Sequence, residues 1–106
     1  MFGLFGKIKT QPGQRDKLLA YLLQAGDSMR DVEGCYLYVI NSATDDPDGI
    51  WVYEVWRSQA DHQASLTLDA VKAIITAARP LIAEMSNRVE LVPLGLRERA
   101  RGPRRA

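Results

Sequence analysis

The chain has 106 residues, the size of one domain, which excludes repeat arrays and multidomain enzymes. It is 46% hydrophobic and 25% charged, a globular composition that excludes a wholly disordered chain. The net charge of +1 conceals an uneven distribution: residues 96–106, LRERARGPRRA, hold five Arg and one Glu, net +4, and residues 1–95 carry nine Lys and Arg against twelve Asp and Glu, net −3.

A mildly acidic body argues against a nucleic-acid-binding domain, whose folded surface carries a basic stripe. The boundaries expected are one domain over 1–95 and a basic, solvated, disordered tail over 96–106. The alternative role for the tail is an electrostatic tether to nucleic acid or an anionic surface. Cys35 is the only cysteine, so no internal disulfide forms and nothing points to an oxidising compartment. No apolar run approaches the roughly 18 residues of a membrane span, and at the N-terminus Lys follows the apolar residues instead of preceding them. The expectation is a cytoplasmic protein without a membrane partner.

In chain order, residues 2–10, FGLFGKIKT, place Phe2, Leu4, Gly6 and Ile8 on one side and Gly3, Phe5, Lys7 and Lys9 on the other, the period of a strand. Gln11-Pro12-Gly13 ends it. From Gln14 to Asp31, Leu18, Leu22, Ala25 and Met29 recur at helical steps, with Leu19 and Leu23 widening the stripe. Gly34 punctuates, and CYLYVINS (35–42) is rich in strand formers. ATDDPDG (43–49) has the Asp, Pro and Gly of a hairpin loop before the strand IWVYEVW (50–56). Ser58 with Asp61 resembles a capping box opening a short helical turn over 58–66.

Thr67 can cap a second long helix, with Val71, Ile74, Ile75, Ala78, Ile82 and Met85 in helical repeat and a kink at Pro80. RVELVPLG (88–95) reads as a last strand, its proline suiting a strand end. The order is β-α-β-β-α-β, the α+β ferredoxin-like pattern: a four-stranded antiparallel sheet with helices on one face. Both faces of that sheet are apolar, with Cys35, Leu37 and Val39 opposing Tyr36, Tyr38 and Ile40, and Ile50 and Val52 opposing Trp51, Tyr53 and Val55. Helices cover one set only, and soluble monomers rarely expose so large an apolar patch. The expectation is a homodimer packed sheet against sheet, burying at least ~1,600 Å².

KIKTQPGQRDKL at 7–18, EGCYLY at 33–38 and YEVWRSQADHQASL at 53–66, followed by the apolar helix, resemble the antibiotic biosynthesis monooxygenase family, which includes quinol monooxygenases and anthrone oxygenases. The resemblance spans about residues 2–95, from the strand of FGLFGKIKT to that of RVELVPLG. It implies a dimeric α+β barrel and a cofactor-independent oxygenase that uses O₂ on an electron-rich aromatic, needing neither flavin nor metal. Asp61 and Ser65 stand where many quinol-oxidising members carry a His pair, and His62 is displaced by one. Ser65, Ile75 and a Lys-containing first strand stand where haem-degrading relatives carry Trp, His and Asn, so the likeness does not extend to haem degradation.

Composition is compatible with a site that binds no metal. One His and one Cys do not supply a usual transition-metal site, and no Gly-rich nucleotide loop or Ser-His-Asp arrangement is readable. Candidate catalytic residues are His62, Glu54 and Arg79. His62 is the natural general base because imidazole titrates near neutrality; the alternative is an exposed His at a helix start. Glu54 is either a buried carboxylate able to relay a proton or, on an open face, one half of a cross-strand ion pair. Arg79 can stabilise a phenolate by a charge-assisted bond or lie in a surface salt bridge. Candidate substrate-binding residues are Trp56, Tyr53, Trp51, Tyr38 and Tyr36, as an aromatic cage, and Asn41 toward a carbonyl. Core or interface packing of the aromatics and turn chemistry at Asn41 are the structural alternatives. Cys35 reads as a small core residue. The partners expected are a small aromatic substrate and O₂; a non-catalytic dimer that binds a hydrophobic metabolite is the rival reading.

Overall fold

The computed structural model describes residues 1–97. Four strands, β1 (Phe2–Thr10), β2 (Cys35–Ser42), β3 (Gly49–Trp56) and β4 (Ile82–Leu91), form one antiparallel sheet in the order β2-β3-β1-β4. Three helices, α1 (Arg15–Ser28), α2 (Gln59–Ser65) and α3 (Asp69–Ala78), complete the ferredoxin-like α+β fold. No helix among the described residues is long and apolar enough to cross a membrane.

The even positions of β1 and β3 face the helices, as their alternation requires. Phe2 pairs with Trp56, Leu4 with Glu54 and Ile8 with Ile50. Two core clusters lie between sheet and helices, one around Phe2, Met29, Trp56 and Ile74, the other around Ile8, Leu18, Ile50 and Ala78. Leu18, Ile50 and Trp56 are fully buried, each such side chain contributing roughly 1.5–3 kcal/mol of burial free energy.

Local chemistry sets the connections. Gly13 takes a φ of +76° in the turn before α1, a conformation that favours glycine. In the β2–β3 hairpin the Asp48 backbone N–H donates to Asp46 Oδ1 at 2.9 Å, and Lys7 and Lys9 each place Nζ 3.1 Å from Asp46 Oδ2. Arg15 reaches across to donate to the carbonyls of Ala43 and Asp46. Ser58 caps α2 as its pattern predicts: its hydroxyl accepts from the Asp61 N–H at 3.1 Å.

The structure corrects the sequence reading in three places. The second long helix does not run through Pro80 to Met85; it ends at Ala78, a single 3-10 turn spans Arg79–Leu81, and β4 begins at Ile82 rather than at 88. In the β1–β4 pairing, register shifts fall between Phe5 and Lys7 and between Lys9 and Thr10 of β1, where β4 carries the extra residues. They leave Ile82 and Met85 on the same face three residues apart, a spacing that imitates a helical repeat. Thr67 does not cap α3: Leu68 occupies the cap position without a side-chain bond, and the Thr67 hydroxyl donates to the Ala64 carbonyl at the end of α2. A bulge at Tyr36, between the Cys35–Trp56 and Leu37–Val55 pairs, moves Cys35 onto the helix-covered face with Tyr38 and Ile40. The tail reading for 96–106 is largely untouched, because residues 98–106 lie outside the described residues.

Candidate functional site

Glu54 lies in the middle of β3, between Leu4 of β1 and Tyr38 of β2, and points toward the helices. Trp56, two residues on and therefore on the same face, donates its indole Nε1–H to Glu54 Oε1 at 2.9 Å. His62 Nε2 stands 3.9 Å from that oxygen, and each of the two side chains is only 13% exposed. The face is covered, so Glu54 forms no cross-strand ion pair, and His62 is not an exposed helix-start residue.

The imidazole is held by its neighbours. Its centroid lies 5.7 Å from the Phe2 ring and 5.5 Å from the Trp56 ring, which meets it edge-on at 66°. Arg57 grips Asp61 through two bonds of 2.8 and 3.0 Å and reaches Glu33 at 3.0 Å. Those bonds, and the Ser58 hydroxyl after them, hold the Asp61 carboxyl below its ordinary pKa. Gly34 lies directly beneath: a Cβ there would stand 2.7 Å from the Asp61 carboxyl carbon, so only glycine admits this close docking of α2 on the turn before β2. Ser65, buried, donates to the His62 carbonyl at 2.6 Å.

Tyr38 donates its hydroxyl to the Leu22 carbonyl at 3.2 Å. Burial first, then the Glu54 carboxylate, push its pKa well up, so it stays a neutral phenol. Burial and Glu54 raise the Cys35 thiol in the same way, which keeps it from being a thiolate nucleophile.

Glu54, His62, Tyr38 and Ser65 open into a cavity of about 410 Å³ between the sheet, α1 and α3, with apolar walls that include Leu22, Ile75 and Met85 and with Arg79 in its lining. A second cavity of about 320 Å³ continues along β1 toward Gly6 and Arg88 and shares Ile8, Leu22, Tyr38, Glu54 and Met85 with the first. Both volumes lie in the range of small-molecule pockets, roughly 300–1,000 Å³. Glu54 and Tyr38 stand at their junction.

Of the candidate residues, the fold brings together Glu54, His62, Tyr38 and Arg79. Trp56 is fully buried and meets the cavity only through its bond to Glu54. Trp51 and Tyr53 lie on the opposite face of the sheet, packed with Phe5 at centroid distances of 5.2 and 5.9 Å. Asn41 is on that face too, its amide donating to the Trp51 carbonyl at 3.0 Å. Tyr36, on the bulge, is 44% exposed. Sequence reasoning missed Leu22 and Met85 as cavity walls. The α1 stripe carried the signal for Leu22, whereas Met85 was hidden by the false helical spacing. Among the described residues no three His, Cys, Asp or Glu side chains gather into a metal-binding group.

The model of the antibiotic biosynthesis monooxygenase family matches residues 1–77, a span that includes Glu54 and His62 and stops before Arg79 and β4. A solved structure from Chloroflexus aurantiacus, named as a candidate antibiotic biosynthesis monooxygenase, is 44% identical with a TM-score of 0.85, over 92% of this chain and 96% of that one. Similarly named proteins of Bacteroides thetaiotaomicron and Nitrosomonas europaea share the fold at 17% and 16% identity. Their TM-scores are 0.81 and 0.79, and the matches cover 92% and 90% of this chain and 94% and 100% of theirs. No curated protein matches. By the extent of the family match and the likeness to the Chloroflexus protein, the chain belongs to the antibiotic biosynthesis monooxygenase family.

Proposed function

We propose that the protein is a cofactor-independent monooxygenase that oxidises a small electron-rich aromatic, a quinol or an anthrone, with O₂. The observation that carries this reading is the shielded Glu54–His62 pair facing an apolar cavity of ring-system size. His62 takes the acidic proton of the substrate. Glu54 stabilises the imidazolium that results, Tyr38 turns its hydroxyl proton from the Leu22 carbonyl to a substrate oxygen, and Arg79 stabilises the anion by charge.

For an anthrone, the resonance-stabilised anion gives one electron to O₂. The substrate radical and superoxide combine to form a C–O bond. Loss of the second hydrogen from that carbon as a proton cleaves the O–O bond and releases water, leaving the quinone. Substrate plus O₂ thus balances quinone plus water, with the four electrons that reduce O₂ all drawn from the substrate. The apolar walls favour this sequence by excluding water from the anion and the radical pair.

We further infer a cytoplasmic homodimer joined through the sheet face that the helices leave open, in the dimeric α+β barrel arrangement. That face carries Phe5, Trp51, Tyr53, Leu37 and Val39, all only half-buried in the single chain, and exposed Val89 and Leu91 extend the patch.

The test is O₂ uptake by metal-free, flavin-free protein against a panel of anthrones and reduced naphthoquinones. Uptake above autoxidation is expected, absent from heat-killed protein and lowered roughly 10²- to 10⁴-fold by His62→Ala. No uptake across the panel, with thermal stabilisation by the same compounds, would establish the binding-module reading instead.

A further inference from the structure

The second cavity has no part in proton removal, and its walls define what it can hold. Leu4, Ile8, Leu22, Val52 and Met85 line it; Arg88 and Lys7 are the only cationic residues on its wall, and the Lys7 ammonium lies away from it, 5.8 Å over the Trp51 ring on the open face. Both cations are engaged elsewhere: Arg88 donates to Glu90 at 2.8 Å and Lys7 is bound to Asp46 at 3.1 Å. The Glu54 carboxylate on the wall opposes an anionic group, and each cation already has a carboxylate partner, whereas an uncharged apolar group meets complementary walls.

The floor is Gly6. It stands where β4 bulges away from β1, between the Phe5–Val89 and Lys7–Ser86 pairs. A Cβ at Gly6 would first meet β4 atoms, Arg88 Cα at 3.5 Å and the Ser86 carbonyl at 3.7 Å, which are ordinary contact distances. Space, not backbone clash, is what the missing side chain leaves in the lobe.

We propose that this lobe is a subsite for a neutral apolar arm on the substrate, an alkyl chain or a further hydrocarbon ring, with Gly6 as its specificity-determining residue. The inference rests on reading the adjoining cavity as the oxygenase site. Because Glu54 and Tyr38 border both lobes, the arm leaves the reacting ring at a position next to the oxygen that Tyr38 meets. The substrate class is thus a quinol or anthrone bearing such an arm near its oxygenated carbon, in preference to the bare ring or to one bearing a carboxylate there.

The experiment measures binding of oxidised, non-reacting probes by calorimetry: 2-methyl-1,4-naphthoquinone and its 2-butyl homologue, against wild type, Gly6→Ala and Gly6→Leu. Each buried methylene contributes about fourfold in affinity, so the three added methylenes of the butyl compound should tighten binding to wild type by roughly sixtyfold when all are buried. Gly6→Leu, shown by thermal melting to be folded, should abolish that advantage. Gly6→Ala, whose methyl fits at contact distance, retains the fold and should reduce the advantage in part.

Equal affinity of the two probes for wild type overturns the subsite and leaves the oxygenase reading standing. An undiminished advantage in both variants overturns it as well, and failure of both probes to bind overturns subsite and site together. A clear arm effect without O₂ uptake by any quinol sustains the subsite and removes only the oxygenase reading.

Discussion

The two faces of the sheet are built from alternate residues of the same strands and do opposite things. Beneath the helices, Glu54 and Trp56 of β3 meet His62 in an apolar enclosure, and the charged group has few partners. On the open face, Trp51 and Tyr53 of the same strand stack with Phe5, Lys7 lies 5.8 Å above the Trp51 ring, and Asp46 binds two lysines. Charge on the open face is neutralised pair by pair. Charge on the covered face is left able to act on a ligand, and this contrast points to where chemistry resides. A strand of eight residues presents both environments because its side-chain period is two.

Tryptophan replacement is the strongest way to break the comparison. Trp56→Ala should destabilise the fold by roughly 3–5 kcal/mol in chemical denaturation, because a fully buried indole is lost and Glu54 loses its donor. Trp51→Ala should cost the single chain less and should instead weaken self-association in sedimentation. Equal destabilisation by the two, with self-association intact, would contradict the division of labour between the faces.

A smaller effect isolates the open face. The Asp48 backbone N–H, then Lys9 and Lys7, hold the Asp46 carboxyl down to about 2 from an ordinary 3.8. A carboxylate with a depressed folded pKa stabilises the protein above its unfolded value and loses that contribution as pH falls through the folded one. Asp46→Asn should therefore lower Tm at pH 6 and lose this deficit between about pH 4 and pH 2, as followed by thermal melts. A deficit unchanged across that window would show that the ion pairs contribute nothing.

Much of this was legible in the sequence, for physical reasons that differ by element. β1 and β3 alternate cleanly, β2 does so from Leu37 on, and the Asp-Pro-Asp-Gly loop fixes the β2–β3 hairpin. The alternation also separated Glu54 and Trp56 from Trp51 and Tyr53, but it did not say which set the helices cover. β4 was misread because its two bulges space Ile82 and Met85 like helical neighbours, and a bulge has no residue signature here beyond Asn87 at a φ of 54°. Glu54 and His62 stood out as titratable groups among apolar neighbours. Their meeting did not, because it depends on α2 folding back against the end of β3 and the turn before β2, through the Arg57–Asp61 bonds and the missing side chain of Gly34.

The central claim is that the covered face removes a proton before oxygen takes any part. The most direct measurement mixes the protein with an anthrone without O₂ and follows the anthrone anion by absorbance, in wild type and in the Glu54→Gln and His62→Ala variants. The account predicts anion formation in wild type, slowed roughly 10²- to 10⁴-fold in His62→Ala and also slowed in Glu54→Gln. Anion formation at the wild-type rate in both variants, or none in wild type under conditions where O₂ uptake is observed, would contradict it.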